Sequence, residues 1–158
     1  MNFLKKEHIS FSVKSYKEFI LAGDVGGTNT TLGIFGVKNK ASGLLVSFHF
    51  KSKELGSLNE AIKEALMDSK KEYGIKITKA CFGVAGVLSN DKSEAKITNL
   101  PWIIDKSNIS KRTGIKKILL INDFEAIGYS INLLGKKDII TIKNAKKAAE
   151  APILIIGA

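Results

Sequence analysis

Two short stretches of this 158-residue sequence place polar groups where chemistry could occur. The first is Gly23-Asp24-Val25-Gly26-Gly27-Thr28-Asn29-Thr30, set between two apolar runs. Adjacent glycines permit positive φ and let backbone N–H groups approach a ligand without side-chain obstruction, the geometry of an anion-binding nest. Thr28 and Asn29 add neutral donors for phosphate oxygens, and Asp24 could hold a magnesium ion directly or through water. The loop lacks the Gly-Lys-Ser/Thr ending of the P-loop and the three-glycine spacing of the dinucleotide fingerprint. A plain hairpin turn would also use Gly-Gly.

The second stretch is Leu119-Leu120-Ile121-Asn122-Asp123-Phe124-Glu125-Ala126, an apolar run ending in an amide and a carboxylate where a helix begins. Ligands of open α/β sheets bind beyond the carboxyl ends of strands. Asp123 could accept a proton from a substrate hydroxyl, and Asn122 could fix that substrate by hydrogen bonds. The same pair would also cap a helix and suit its dipole.

These features must be positioned by the elements around them. Phe19–Gly23, Thr30–Val37 and Gly43–Phe50 read as three closely spaced strands of an antiparallel meander, preceded by a loosely held extension over residues 1–16. Leu58, Ile62, Ala65 and Leu66 repeat at helical spacing over Ser57–Tyr73, with Ser57 and Glu60 as a capping box and Gly74 as the stop. Lys79–Val84 and Ile115–Ile121 suit buried strands, and Ser93–Thr98 a weaker one. Asp105–Thr113 and Phe124–Leu134 suit helices, Ile139–Ile142 an edge strand, and Pro152–Ile156 a last buried strand. The order predicts an α/β fold with a mixed sheet of about five or six strands flanked by helices.

Composition excludes several classes. No apolar run is long enough to cross a membrane as a helix, and the N-terminus lacks the pattern of a secretion signal, so a cytoplasmic address is expected. Cys81, the single cysteine, permits no internal disulfide and reads as a small buried hydrophobe. The net charge of +10 comes from scattered lysines with Arg112 as the single arginine, which reads as a solvated surface and predicts no nucleic-acid partner.

The two stretches, with Thr98-Asn99-Leu100-Pro101-Trp102 between them, resemble the bacterial glucokinase family of the hexokinase, actin and Hsp70 superfamily. Asp24 to Asn29 match its D-x-G-G-T-N phosphate motif and Asn122 to Ala126 its N-D-F-x-A motif; in Gly83-Val84-Ala85-Gly86-Val87, Val87 replaces the proline of an Ala-Gly-Pro stretch. The resemblance covers Phe19 to Ala158 and implies a ribonuclease H-like, actin-type ATPase domain over residues 17–158, with a second, larger domain absent. It further implies ATP and Mg2+ as cofactors and glucose as substrate. Asp123 would be the base for the 6-hydroxyl, and Asn122, Thr98 and Asn99 would line the sugar. Asp24, Gly26, Gly27, Thr28 and Asn29 would face magnesium and the phosphates, while Trp102 would serve packing.

Two other readings remain open: a ribonuclease H-like nuclease using Asp24 and Asp123 as paired-metal ligands, and a non-catalytic sugar-binding or assembly module. For the kinase reading, little or no turnover is expected from these 158 residues alone. An apolar face including Ile153–Ile156 should be exposed for the missing domain or a second copy.

Overall fold

The computed structural model describes residues 2–39, 41–143 and 154–156. Its strands are β1 (Leu4–Glu7), β2 (Glu18–Val25), β3 (Asn29–Lys38), β4 (Ala41–Lys51), β5 (Lys79–Val84), β6 (Gly86–Leu88), β7 (Glu94–Ile97), β8 (Ile103–Asp105) and β9 (Lys117–Asn122). The helices are α1 (Leu58–Tyr73), α2 (Lys106–Thr113) and α3 (Asp123–Ser130). One six-stranded sheet runs β1-β4-β3-β2-β5-β9, and a small second sheet runs β6-β7-β8. The meander β2-β3-β4 is antiparallel, whereas β5 joins β2, and β9 joins β5, in parallel.

Alternation along the strands assigns the two faces. Leu21, Leu32, Phe48, Phe82 and Leu120 share one buried face, and Leu58, Ala61, Ile62 and Ala65 of α1 join the same core. Asp24, Gly83 and Ile121 fall on the other face, where α3 crosses β5 and brings Ala126 against Gly83. Burying the apolar stripe of α1 on the first face, more than helix propensity, stabilises it. Gly74, at φ 67°, ends the helix in the left-handed region that glycine adopts without strain.

Several expectations need correction. Residues 4–7 do not hang loose: they pair with His49 to Val46 as the outermost strand, and Phe3 lays its ring 5.8 and 5.3 Å from those of Phe48 and Phe50. Lys5 pairs with Asp68 at 2.7 Å, and Phe11 meets Tyr73 at 5.1 Å. A chain of hydrogen bonds, His8 Nε2 to Ser47 Oγ (2.9 Å), Ser47 Oγ to His49 Nε2 (2.8 Å) and His49 Nδ1 to Thr31 Oγ1 (3.2 Å), stitches the chain beyond β1 to β4 and β3.

At α1, Ser57 makes no side-chain cap; Glu60 Oε2 instead accepts from Gly56 N at 3.0 Å. The helix expected to Leu134 ends at Ser130 and tightens into a 3-10 turn over Ile131–Leu133. Ile139–Ile142 form no strand, because no sheet edge meets them, and Ile140 and Ile142 are almost fully exposed. Of the expected Pro152–Ile156 strand, residues 152 and 153 lie outside the described residues; Leu154–Ile156 make no strand pairing among the described residues, and Leu154 and Ile156 are exposed.

The ring of Phe3 separates a docked edge strand from a loose tail. Phe3→Ala should lower unfolding stability by about 1–2 kcal/mol, since half-buried aromatic area is lost. Denaturant melts of the two proteins measure this, and superimposable curves would contradict the docking.

Candidate functional site

The parallel register brings the carboxyl ends of β2, β5 and β9 level. Asp24 pairs with Gly83 and Gly83 with Ile121; one step on, Val25 pairs with Val84 and Val84 with Asn122. Asp24 is the last residue but one of one outer strand of this trio, and Asp123 follows the other. Between them sits Gly83, where an added Cβ would lie 3.3 Å from Ala126 Cβ and 3.9 Å from Asp123 Cα. Glycine thus keeps the floor between the two carboxylates low.

Their charges interact. Partial burial, and secondarily the negative charge of Asp123, push the Asp24 carboxyl above its ordinary value. Like charges brought together disfavour ionisation, and a hard cation beside Asp24 would relieve the repulsion. The oxygen donor set therefore fits Mg2+.

The glycine loop closes the hairpin between β2 and β3, with Gly26 N donating to Asn29 O at 3.0 Å. Neither Gly26 nor Gly27 has positive φ, contrary to the nest geometry expected from sequence. Glycine at 27 allows a close approach: an added Cβ would come within 3.1 Å of Asn99 Cβ. The loop and the Thr98–Asn99 segment therefore touch. Thr98 N donates to Ala85 O at 3.3 Å, and Ala85 N to Val25 O at 3.0 Å, which ties that segment to the end of β2. Both Thr98 and Asn99 are exposed.

Asn122 caps α3, its Oδ1 accepting from Phe124 N at 2.9 Å while its Nδ2 donates to Gly86 O at 3.4 Å. Asp123 Oδ1 also accepts from Phe124 N, at 3.0 Å. Capping is thus present, and it leaves Asp123 Oδ2 and one Asn122 amide hydrogen for a ligand. Gly86 tolerates no side chain, because an added Cβ would sit 2.1 Å from Lys96 O. Val87, in place of the expected proline, is exposed on β6.

Trp102 is buried, as a packing role requires. Cys81 is half-buried, not fully so, and burial followed by the charge of Glu125 raises its thiol pKa. Glu125 is held by Lys92 at 2.9 and 3.0 Å. Among the described residues, no group of three or more His, Cys, Asp or Glu side chains could hold a metal, so the further carboxylate a paired-metal nuclease needs is missing.

Two residues were missed by motif reading. Ser52, fully buried, donates through Oγ to Gly26 O at 2.7 Å and through N to Thr28 O at 2.9 Å. Lys51 Nζ donates to Asn29 Oδ1 at 3.0 Å. Their one sequence signal is position: Lys51 ends the strand that pairs with Asn29, and Ser52 follows it.

The mixed sheet with helices on both of its faces defines a ribonuclease H-like domain of the actin-type ATPase fold, in the form used by sugar kinases. The chain belongs to the glucokinase family, whose model, described as Glucokinase, matches residues 21–158. It is 37% identical over 145 residues to a glucokinase of Nostoc sp., covering 88% of this chain and 40% of that protein. A glucokinase of Xylella fastidiosa is 36% identical over 129 residues, covering 80% of this chain and 36% of the relative. The crystal structure of a glucokinase from an Antarctic psychrotroph superposes with a TM-score of 0.71 at 28% identity, covering 84% of this chain and 40% of that one. The fold is shared with glucokinase from Balamuthia mandrillaris in complex with glucose, at a TM-score of 0.60 and 22% identity, covering 72% of this chain and 32% of that one. The chain spans about 40% of the length of the first curated relatives it matches. No helix among the described residues is long and apolar enough to cross a membrane.

Asp24 offers a pH test. Its raised pKa means the folded state holds this proton more tightly than the unfolded chain, so stability falls as pH rises past the ordinary carboxylate value. Asp24→Asn should therefore raise the melting temperature at pH 7 without magnesium, and the gain should vanish below about pH 3.5, where the carboxyl is protonated in both states. A variant less stable than the parent at pH 7 would contradict the like-charge account.

Proposed function

We propose that this chain supplies the acceptor-activating and phosphate-binding side of an ATP-dependent kinase that converts glucose to glucose 6-phosphate. The observation that carries this reading is the parallel register that sets Asp24 and Asp123 on either side of Gly83 at the ends of β2 and β9. Asp123 accepts the proton of the 6-hydroxyl, as a positioned carboxylate does in phosphoryl transfer. Asn122 orients the sugar with its remaining amide hydrogen, and Thr98 and Asn99 present exposed polar groups beside it.

Gly26 and Gly27 admit the outer phosphates close to the backbone, with Thr28 and Asn29 as neutral donors. Asp24 holds Mg2+, which when bound supplies positive charge between the phosphate oxygens. Positioning both reactants in one crevice is the chain's contribution to catalysis. Such an enzyme would act in the cytoplasm, where ATP is available.

The nuclease alternative is not favoured, since Glu125 is engaged by Lys92 and cannot complete a paired-metal site. Exposed Leu119 and Tyr129, which line one hollow between β9 and α3, offer an apolar surface where a second copy of the chain would pack.

Two measurements test these proposals. In 15N-labelled chain, glucose should shift the amides of Asn99, Asn122 and Asp123, and magnesium ATP those of Gly26 to Asn29; Asp123→Asn should weaken the glucose response at least tenfold. Silence toward both ligands, or shifts with manganese and nucleic acid instead, would sink the kinase reading. Light scattering should show a mass rising toward the dimer with concentration, and a monomer throughout would count against self-association.

A further inference from the structure

We propose that Ser52 is a positioning residue that orients the glycine loop for an anionic phosphate, an inference that deepens the kinase reading and rests on it. Ser52 lies outside the loop in sequence, on the turn after β4, and is fully buried beneath it. Its hydroxyl proton goes to Gly26 O at 2.7 Å, which leaves the Thr30 hydroxyl to donate to Ser52 Oγ at 2.9 Å. Its backbone N–H goes to Thr28 O at 2.9 Å. One residue therefore takes both carbonyls that flank Gly27.

Peptide groups are planar, so fixing a carbonyl on one side turns the N–H of the same peptide unit to the other. The carbonyl of Gly26 shares its peptide with Gly27 N, and that of Thr28 with Asn29 N. Drawn toward the buried serine, these carbonyls point into the molecule, and the partial negative charge that would repel a phosphate goes with them. Gly27 N, on the peptide that Ser52 fixes through Gly26 O, and its neighbour Thr28 N donate to no backbone acceptor among the described residues. A loop with its acceptors tied beneath and its donors unspent above is polarised toward an anion before one arrives.

Thr30 supplies a control. It is as fully buried as Ser52 and belongs to the same small polar network, yet it touches neither loop carbonyl. A purely structural role predicts that removing either hydroxyl weakens the fold with equal indifference to ligand. An orienting role predicts a split between them.

The experiment titrates magnesium triphosphate into 15N-labelled parent chain, Ser52→Ala, Ser52→Cys and Thr30→Val, following the amides of Gly26 to Asn29 and the melting temperature of each. Ser52→Ala should bind about tenfold more weakly, the size of effect expected when one well-placed hydrogen bond is lost. Ser52→Cys, with its weak S–H donor, should fall between alanine and the parent. Thr30→Val should lose thermal stability with affinity within about twofold of the parent. Without ligand, the Gly27 and Thr28 amides of Ser52→Ala should shift from their parent positions and broaden, while those of Thr30→Val stay in place. Unchanged affinity in Ser52→Ala, or parallel losses in Ser52→Ala and Thr30→Val, overturns the orienting role while the parent's response keeps the phosphate-loop reading. If the parent's loop amides ignore triphosphate, both fail together.

Discussion

The parallel register of β2, β5 and β9 is the constraint on which the rest of the molecule depends. Shifting any of these strands by one residue would send its side chains to the opposite face of the sheet. Asp24 would then turn into the core, or Asn122 would lose its place at the head of α3. The hydrophobic core enforces the register, because Leu21, Ala80, Phe82, Val84 and Leu120 are buried together on one face only when the three strands align as they do. Packing on one side of the sheet thus fixes the chemistry on the other.

Local charge then works against local stability. Asp24 meets partial burial and a second carboxylate, neither of which favours its ionised form. Such conflict is common where a site is arranged for an absent partner, and the surrounding framework bears its cost. Here that framework is the six-stranded sheet, with Gly83 and Gly27 allowing backbone and side chains to approach more closely than any other residue would.

Much of this was legible in the sequence. The meander, α1, β5 and β9 announced themselves through apolar runs and helical spacing, and the two motifs pointed to the ends of the strands that bear them. What escaped was long-range. β1 is written Leu-Lys-Lys-Glu, a polar text that becomes a strand because β4 offers it an edge and Phe3 finds the Phe48–Phe50 surface. Of the second sheet, β7 was expected from Ser93–Thr98, whereas β6 and β8 have three residues each, too short for a periodic signal. Ser52 is a single serine among several, and its contact with Gly26 spans 26 positions. The diglycine was read as a device for unusual backbone angles, whereas its negative-φ glycines serve to make room.

The hairpin of β6 and β7 ends at Lys92, which grips Glu125 on the first turn of α3, while its root at Gly86 accepts from Asn122. Held at tip and root, the hairpin and the helix make up a single wall beside Asp123. The glycine turn on the other side of the strand ends is fastened in the same manner, by Ser52 on its Gly26 and Thr28 carbonyls, so both flanks owe their shape to bonds made outside them.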